Sequence, residues 1–184
     1  YLSGCENIIE KGVCYLEQGE GSGGFERAEE PKQYDSPIRE AYHFAPWKNW
    51  LNDPNGLCWF QGRYHMFYQF NPHSQKWSNM YWGHAASKDL VHWTHLPVVL
   101  EPQEEILENP KELSGGAFSG SAVVQGDEAV FFFTRSSGPC IDSEKTLQQQ
   151  WMMRSRDMLY FTEESLVVAH PPQGASFDFR DPKV

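Results

Sequence analysis

An internal repeat constrains this chain more than any other feature. Gln61-Gly62-Arg63-Tyr64-His65-Met66-Phe67-Tyr68 aligns with Gln125-Gly126-Asp127-Glu128-Ala129-Val130-Phe131-Phe132 at an offset of 64 residues. Ser87-Lys88-Asp89-Leu90-Val91-His92-Trp93-Thr94 aligns with Ser155-Arg156-Asp157-Met158-Leu159-Tyr160-Phe161-Thr162 at an offset of 68. Two matches in the same order at nearly one period define a repeated supersecondary unit, because isolated hairpins recur by chance but ordered pairs of them do not. Within the first unit, apolar runs at 57–60, 64–70, 82–87 and 92–94 are separated by turn residues, which predicts a four-stranded antiparallel meander. A repeated four-stranded meander is the signature of an all-β fold, the β-propeller.

A propeller closes into a ring, usually of four to eight blades, so that no sheet edge stays open. Residues 37–184 supply about two blades and the first strand of a third. The expectation is therefore that missing blades, from further chain or from a partner chain, complete the ring. Residues 1–36 differ in composition: Gly19-Glu20-Gly21-Ser22-Gly23-Gly24 is linker-like, and the weak alternation before it suits one or two short strands. This part reads as an N-terminal extension or the tail of a preceding module. The sequence opens with neither an initiator Met nor a signal-peptide pattern, so it reads as a fragment or a processed piece, with its compartment left open. The acidic, proline-bearing stretch 101–112 and the stretch 136–148 read as solvated loops.

In a propeller the innermost strands line a central channel. The polar starts of these strands are Asn52-Asp53-Pro54-Asn55-Gly56, Phe118-Ser119-Gly120-Ser121 and Phe179-Arg180-Asp181-Pro182. Asp53 and Ser119 lie 66 residues apart, and Ser119 and Asp181 lie 62 apart. Groups that recur with the blade period should face one funnel, so Asp53 and Asp181 are expected to converge. Each precedes a proline, which biases the aspartate toward extended geometry. Arg180 beside Asp181 is expected to keep that carboxylate ionised. Paired carboxylates serve as nucleophile, as general acid or base, or as acceptors for hydroxyl groups. Taken singly, either Asp-Pro also suits a plain turn; the shared phase favours the funnel.

Charge and cysteine content narrow the partners. A formal net charge of -10 offers no basic surface for nucleic acid or for anionic membranes, and no apolar run has the length of a membrane span. Aromatic residues make up 15% of the chain, enough both for a β core and for a sugar-binding wall. Cys5, Cys14, Cys58 and Cys140 form no Cys-x-x-Cys pair, so no zinc site is expected. Free thiols are the preferred reading, with a Cys5–Cys14 bridge as the alternative.

Several long motifs in one order carry a resemblance: Trp50-Leu51-Asn52-Asp53-Pro54-Asn55-Gly56, Phe67-Tyr68-Gln69-Phe70-Asn71-Pro72, Trp82-Gly83-His84-Ala85, Ser87-Lys88-Asp89-Leu90-Val91-His92-Trp93, Phe118-Ser119-Gly120-Ser121 and Phe179-Arg180-Asp181-Pro182. From about residue 39 to 184 the chain resembles glycoside hydrolase family 32, the β-fructosidases, which include invertases, sucrose-6-phosphate hydrolases, inulinases and levanases. The resemblance implies a five-bladed propeller followed by a β-sandwich, and retaining cleavage of terminal β-fructofuranosyl bonds. It implies sucrose or a fructo-oligosaccharide as partner, with neither a metal nor another cofactor. Asp53 is implied as nucleophile and Asp181 as transition-state stabiliser. Trp50, Leu51, Asn52, Gln69, Trp77, Phe118, Ser119 and Arg180 are implied in substrate binding, Trp77 on the loosest match. The family's general acid is a Glu in a Glu-Cys motif on a later blade, and no Glu here has that context. The isolated chain is therefore expected to be inactive and poorly folded. Two alternatives stay open: a fructosyltransferase on the same scaffold, and a non-catalytic fructan-binding propeller.

Overall fold

The structure, a computed structural model, describes residues 42–142 and 145–184. The suggested strands before the glycine-rich stretch, the extension at 1–36 and the Cys5–Cys14 question lie outside the described residues. Two four-stranded antiparallel sheets form, in simple meander order. The first holds β1 (Trp50–Phe60), β2 (Arg63–Asn71), β3 (Tyr81–Ser87) and β4 (Trp93–Leu100), and the second holds β5 (Leu113–Gln125), β6 (Glu128–Pro139), β7 (Leu147–Ser155) and β8 (Ser165–Val168). The single described helix, α1 (Glu104–Glu108), links the sheets. These are consecutive propeller blades.

The repeat holds at the level of atoms. Ser87 Oγ accepts from the amides of Asp89 and Leu90, and Asp89 Oδ1 accepts from the amides of Val91 and His92. In the second blade Ser155 Oγ accepts from Asp157 and Met158, and Asp157 Oδ1 accepts from Leu159 and Tyr160. Leu90 and Met158 occupy the same left-handed backbone position, at φ 65° and 62°. Short polar side chains that satisfy four consecutive turn amides explain why Ser-x-Asp recurs. The first repeat pair needs a one-residue correction. The hairpin residues are Gln61-Gly62 and Gly126-Asp127, so the structural period there is 65, not 64. The match at 64 aligned the two Gln-Gly dipeptides, but Gln61 lies in the first turn whereas Gln125 ends β5.

Three further expectations change. β1 begins at Trp50 rather than at 57, and β4 extends to Leu100. The stretch 101–112 is not purely solvated: α1 fully buries Ile106. The stretch 136–148 is partly strand, because Ser136 and Gln148 are buried and pair in register between β6 and β7. Polar residues there escape the apolar alternation rule because they face a cavity. No strand is assigned after Val168, so the expected first strand of a third blade is an irregular segment held by side chains.

The core lies between the blades. Phe67 of β2 meets Phe131 of β6 edge-on at 4.8 Å, and Trp82 meets Phe133 at 5.8 Å. Met153, Met158, Leu100 and Phe60 complete the same buried cluster. Burying several large rings at one boundary supplies roughly 2 kcal/mol or more per side chain, and it sets the angle between the sheets. A second cluster, built on Tyr68, Phe70 and Tyr81, packs the opposite face of the first blade under Phe44, Trp47 and Trp93. Backbone bonds also cross the boundary. Met80 N donates to Gly115 O and Ala117 N donates to Met80 O, both at 2.9 Å. Gly116 lies between them at φ 112°, and a β-carbon there would meet Met80 O at 2.4 Å.

Candidate active site

Bulges in both innermost strands create the site. β1 loses register between Leu51 and Pro54, and β5 between Phe118 and Gly120. A bulge re-aims the extra side chain and tolerates a proline that a regular ladder would not. Asp53 lies in the first bulge and Ser119 in the second. Ser119 Oγ donates to Asp53 Oδ2 at 2.8 Å across the blade boundary. Asn55, buried beneath them, accepts from Gly120 N at 3.3 Å and so joins the two bulges.

The third segment is tied down by polar side chains. Gln148 Oε1 accepts from Phe179 N at 2.6 Å, and Gln150 Nε2 donates to Phe179 O at 2.7 Å. Asp181 N donates to Thr134 Oγ1 at 3.1 Å. Ser121 Oγ donates to Pro182 O and accepts from Val184 N. Held this way, Asp181 takes φ 62°. The extended geometry expected before proline is not adopted, because side-chain bonds on both sides of the residue outweigh the local preference.

One cavity of about 490 Å³ gathers these residues. Asn52, Asp53, Gln69, Trp77, Phe118, Ser119, Arg180 and Asp181 all line it. Trp77 is half exposed, its ring centre 6.0 Å from that of Phe118, so the two rings form an aromatic wall. Gln69 is buried and fixed by donation to Ala117 O at 2.8 Å. Trp50 and Leu51 do not line the cavity. Trp50 Nε1 donates to Asn52 Oδ1 at 2.7 Å, and Leu51 packs on the Tyr68 and Phe70 cluster. Sequence reasoning missed Ser114, Ser136, Gln148, Phe177 and Asp178, which also line the cavity. The signal for Gln148 was a run of glutamines inside an otherwise apolar strand.

The electrostatics correct one expectation. Asp178 is the nearest carboxylate to Arg180, whose Nη1 donates to Asp178 Oδ1; Asp181 lies 3.8 Å away from Nε. Partial desolvation raises the Asp181 pKa, Arg180 lowers it, and the Asp53 charge raises it, with a net upward direction. Arg180 alone therefore does not hold Asp181 at the low end of the carboxylate range. Asp53 and Asp181 are close enough to sense each other's charge, as their shared phase predicted. Among the described residues, no Glu lines the cavity.

Acidic side chains, amides and hydroxyls thus share one cavity with an aromatic wall, at the boundary between two propeller blades. The chain belongs to glycosyl hydrolase family 32: residues 43–184 match the family's N-terminal domain. It is 42% identical over 147 residues to a sucrose-6-phosphate hydrolase of Escherichia coli, covering 78% of this chain and 29% of the relative. It is 40% identical over 161 residues to a levanase of Bacillus subtilis, covering 85% of this chain and 22% of the relative. Among solved structures, a family 32 glycoside hydrolase from Bifidobacterium adolescentis superposes with a TM-score of 0.75 at 44% identity, over 79% of this chain and 25% of that one. A β-fructofuranosidase variant from Bombyx mori, solved in complex with sucrose, superposes with a TM-score of 0.59 at 32% identity, over 77% and 28%. The chain thus spans about a quarter of the length of these relatives, and its two sheets correspond to the N-terminal portion of the five-bladed family propeller.

Proposed function

We propose that this chain is the nucleophile-bearing part of a retaining glycosidase that cleaves terminal β-D-fructofuranosyl bonds of sucrose or fructans. The observation that carries the reading is the meeting of Asp53 and Asp181 in one cavity, with Ser119 donating to Asp53. In this reading a carboxylate oxygen of Asp53 bonds to the fructosyl anomeric carbon while the glycosidic C–O bond breaks. The departing alkoxide takes a proton from a general acid, and water then displaces Asp53 and releases fructose. Asp181 binds ring hydroxyls and offsets the positive charge that develops at the anomeric carbon. The Trp77 and Phe118 rings suit the C–H faces of the sugar, and Asn52 and Gln69 suit its hydroxyls. Arg180 is the sole cation among the described lining residues, and it is already paired with Asp178, which favours a neutral sugar over a phosphorylated one.

The acid is expected on a later blade, so the 184 residues alone are expected to be inactive. Loss of general acid catalysis costs about 10²–10⁴-fold by itself. The test is to incubate the full protein with sucrose and with inulin, then digest it after a rapid acid quench. A peptide containing Asp53 that is heavier by one fructosyl unit, together with free fructose, is the expected result. Longer oligomers at high sucrose would mark a transferase. Binding without any turnover would mark a lectin-like propeller and overturn the reading.

A further inference from the structure

We infer that Thr134 and Gln150 form a positioning pair that sets the direction of the Asp181 carboxylate, a role that rests on the function proposed above. Asp181 combines left-handed backbone, at φ 62°, with a following proline, a strained pairing that persists only where neighbours over-determine it. The determinants are on β6 and β7. Thr134 is completely buried and Gln150 is 7% exposed. Thr134 Oγ1 has one hydrogen, which it donates to Gln150 Oε1 at 2.8 Å. Its lone pair is then turned to accept from Asp181 N at 3.1 Å. Gln150 Nε2 donates onward to Phe179 O at 2.7 Å.

The polarity of this chain of bonds is forced. Reversing the Gln150 amide would set its oxygen against the Phe179 carbonyl. Losing the threonine hydroxyl would strand both the Asp181 amide and the Gln150 oxygen. Neither side chain needs to touch a sugar; both act through the backbone on either side of Arg180. A shift of about 1 Å in a catalytic carboxylate is enough for roughly 10²-fold in rate.

The test compares Thr134→Val, which keeps the shape and removes the hydroxyl, with Thr134→Ser, which keeps the hydroxyl, both in the full protein. Circular dichroism sets the folded fraction, and kcat and KM for sucrose are measured per folded molecule. T134V is expected to lose at least tenfold in kcat, with a much smaller change in KM, and T134S is expected to stay within about threefold of the parent. A purely structural role would lower Tm in T134V and leave kcat per folded molecule unchanged, which overturns the inference. Equal losses in T134V and T134S would overturn it as well. If T134V does not fold, Gln150→Glu replaces it: the acceptor for Thr134 remains, the donor to Phe179 is lost, and the same drop in kcat is expected. The unaltered protein and Asp53→Asn are assayed alongside. An inactive parent overturns the functional reading and this role with it, whereas an active parent with an unaffected T134V overturns this role alone.

Discussion

Ser119 reaches across the boundary between two blades to donate its hydroxyl to Asp53, Oγ to Oδ2 at 2.8 Å. Each residue lies in a bulge of its own innermost strand. The bond therefore couples the packing of the two blades to the aim of one carboxylate. A hydrogen bond to a charged acceptor contributes about 1.5–3 kcal/mol. Ser119→Ala in the full protein is expected to lower kcat about tenfold and to lower Tm modestly, because the bond is solvent-exposed. Asp53→Asn is expected to remove activity by roughly 10⁴–10⁶-fold, as loss of a nucleophile does. Steady-state sucrose hydrolysis checks both, and a fully active D53N would sink the assignment.

In the proposed mechanism Asp181 must be ionised to offset positive charge. Its pKa is raised in the folded chain, so kcat/KM is expected to decline with falling pH above the ordinary aspartate range. Arg180 opposes that rise. Arg180→Gln removes the opposing charge and should move the acidic limb of the pH profile to higher pH. A limb that stays in place, or moves lower, would show that Asp181 does not govern it.

The buried pair His65 and His84 makes the fold acid-sensitive. His65 Nδ1 and His84 Nε2 are 3.0 Å apart, and Phe67 stacks on His84 at 4.1 Å. Burial, then the Arg63 charge, lowers the His65 pKa to about 4 against a smaller opposing backbone bond from Phe60. Burial and His65 hold His84 well below its usual value. Above pH 6.5 both imidazoles are neutral in folded and unfolded chains alike. Below it the unfolded chain takes up protons that the folded pair refuses, so stability falls between about pH 6.5 and pH 4, by on the order of 3 kcal/mol for His65 alone. Urea midpoints measured across that interval should fall, and His84→Gln should flatten the slope.

Gly116 has no room for a side chain. At φ 112°, with Met80 O 2.4 Å from a β-carbon position, Gly116→Ala must break either its own backbone conformation or the bonds that join the blades. A loss of at least about 2 kcal/mol is expected from strain and clash together. Gly62→Ala, in an open turn at φ 77°, provides the comparison: it meets the same kind of backbone strain without the clash. Equal denaturation midpoints for the two variants would show that the contact with Met80 does not matter.

Sequence alone determined that the chain is built from repeated four-stranded meanders, because turn chemistry and alternation are local and recur with the blade. It also determined which polar segments share a phase, and so brought Asp53, Ser119 and Asp181 to one cavity. Tertiary structure decided what depends on neighbours distant in sequence. Asp181 is left-handed rather than extended because Thr134 and Gln150 hold the chain on either side of Arg180. Arg180 binds Asp178 more closely than Asp181 because the irregular segment folds back on itself. Gln148 and Ser136 are buried polar strand residues, not loop residues, because a cavity takes the place of an apolar neighbour. Leu51, next in sequence to the site, packs on the core instead, since it still pairs in register with Phe70 and the bulge that aims Asp53 begins only after it.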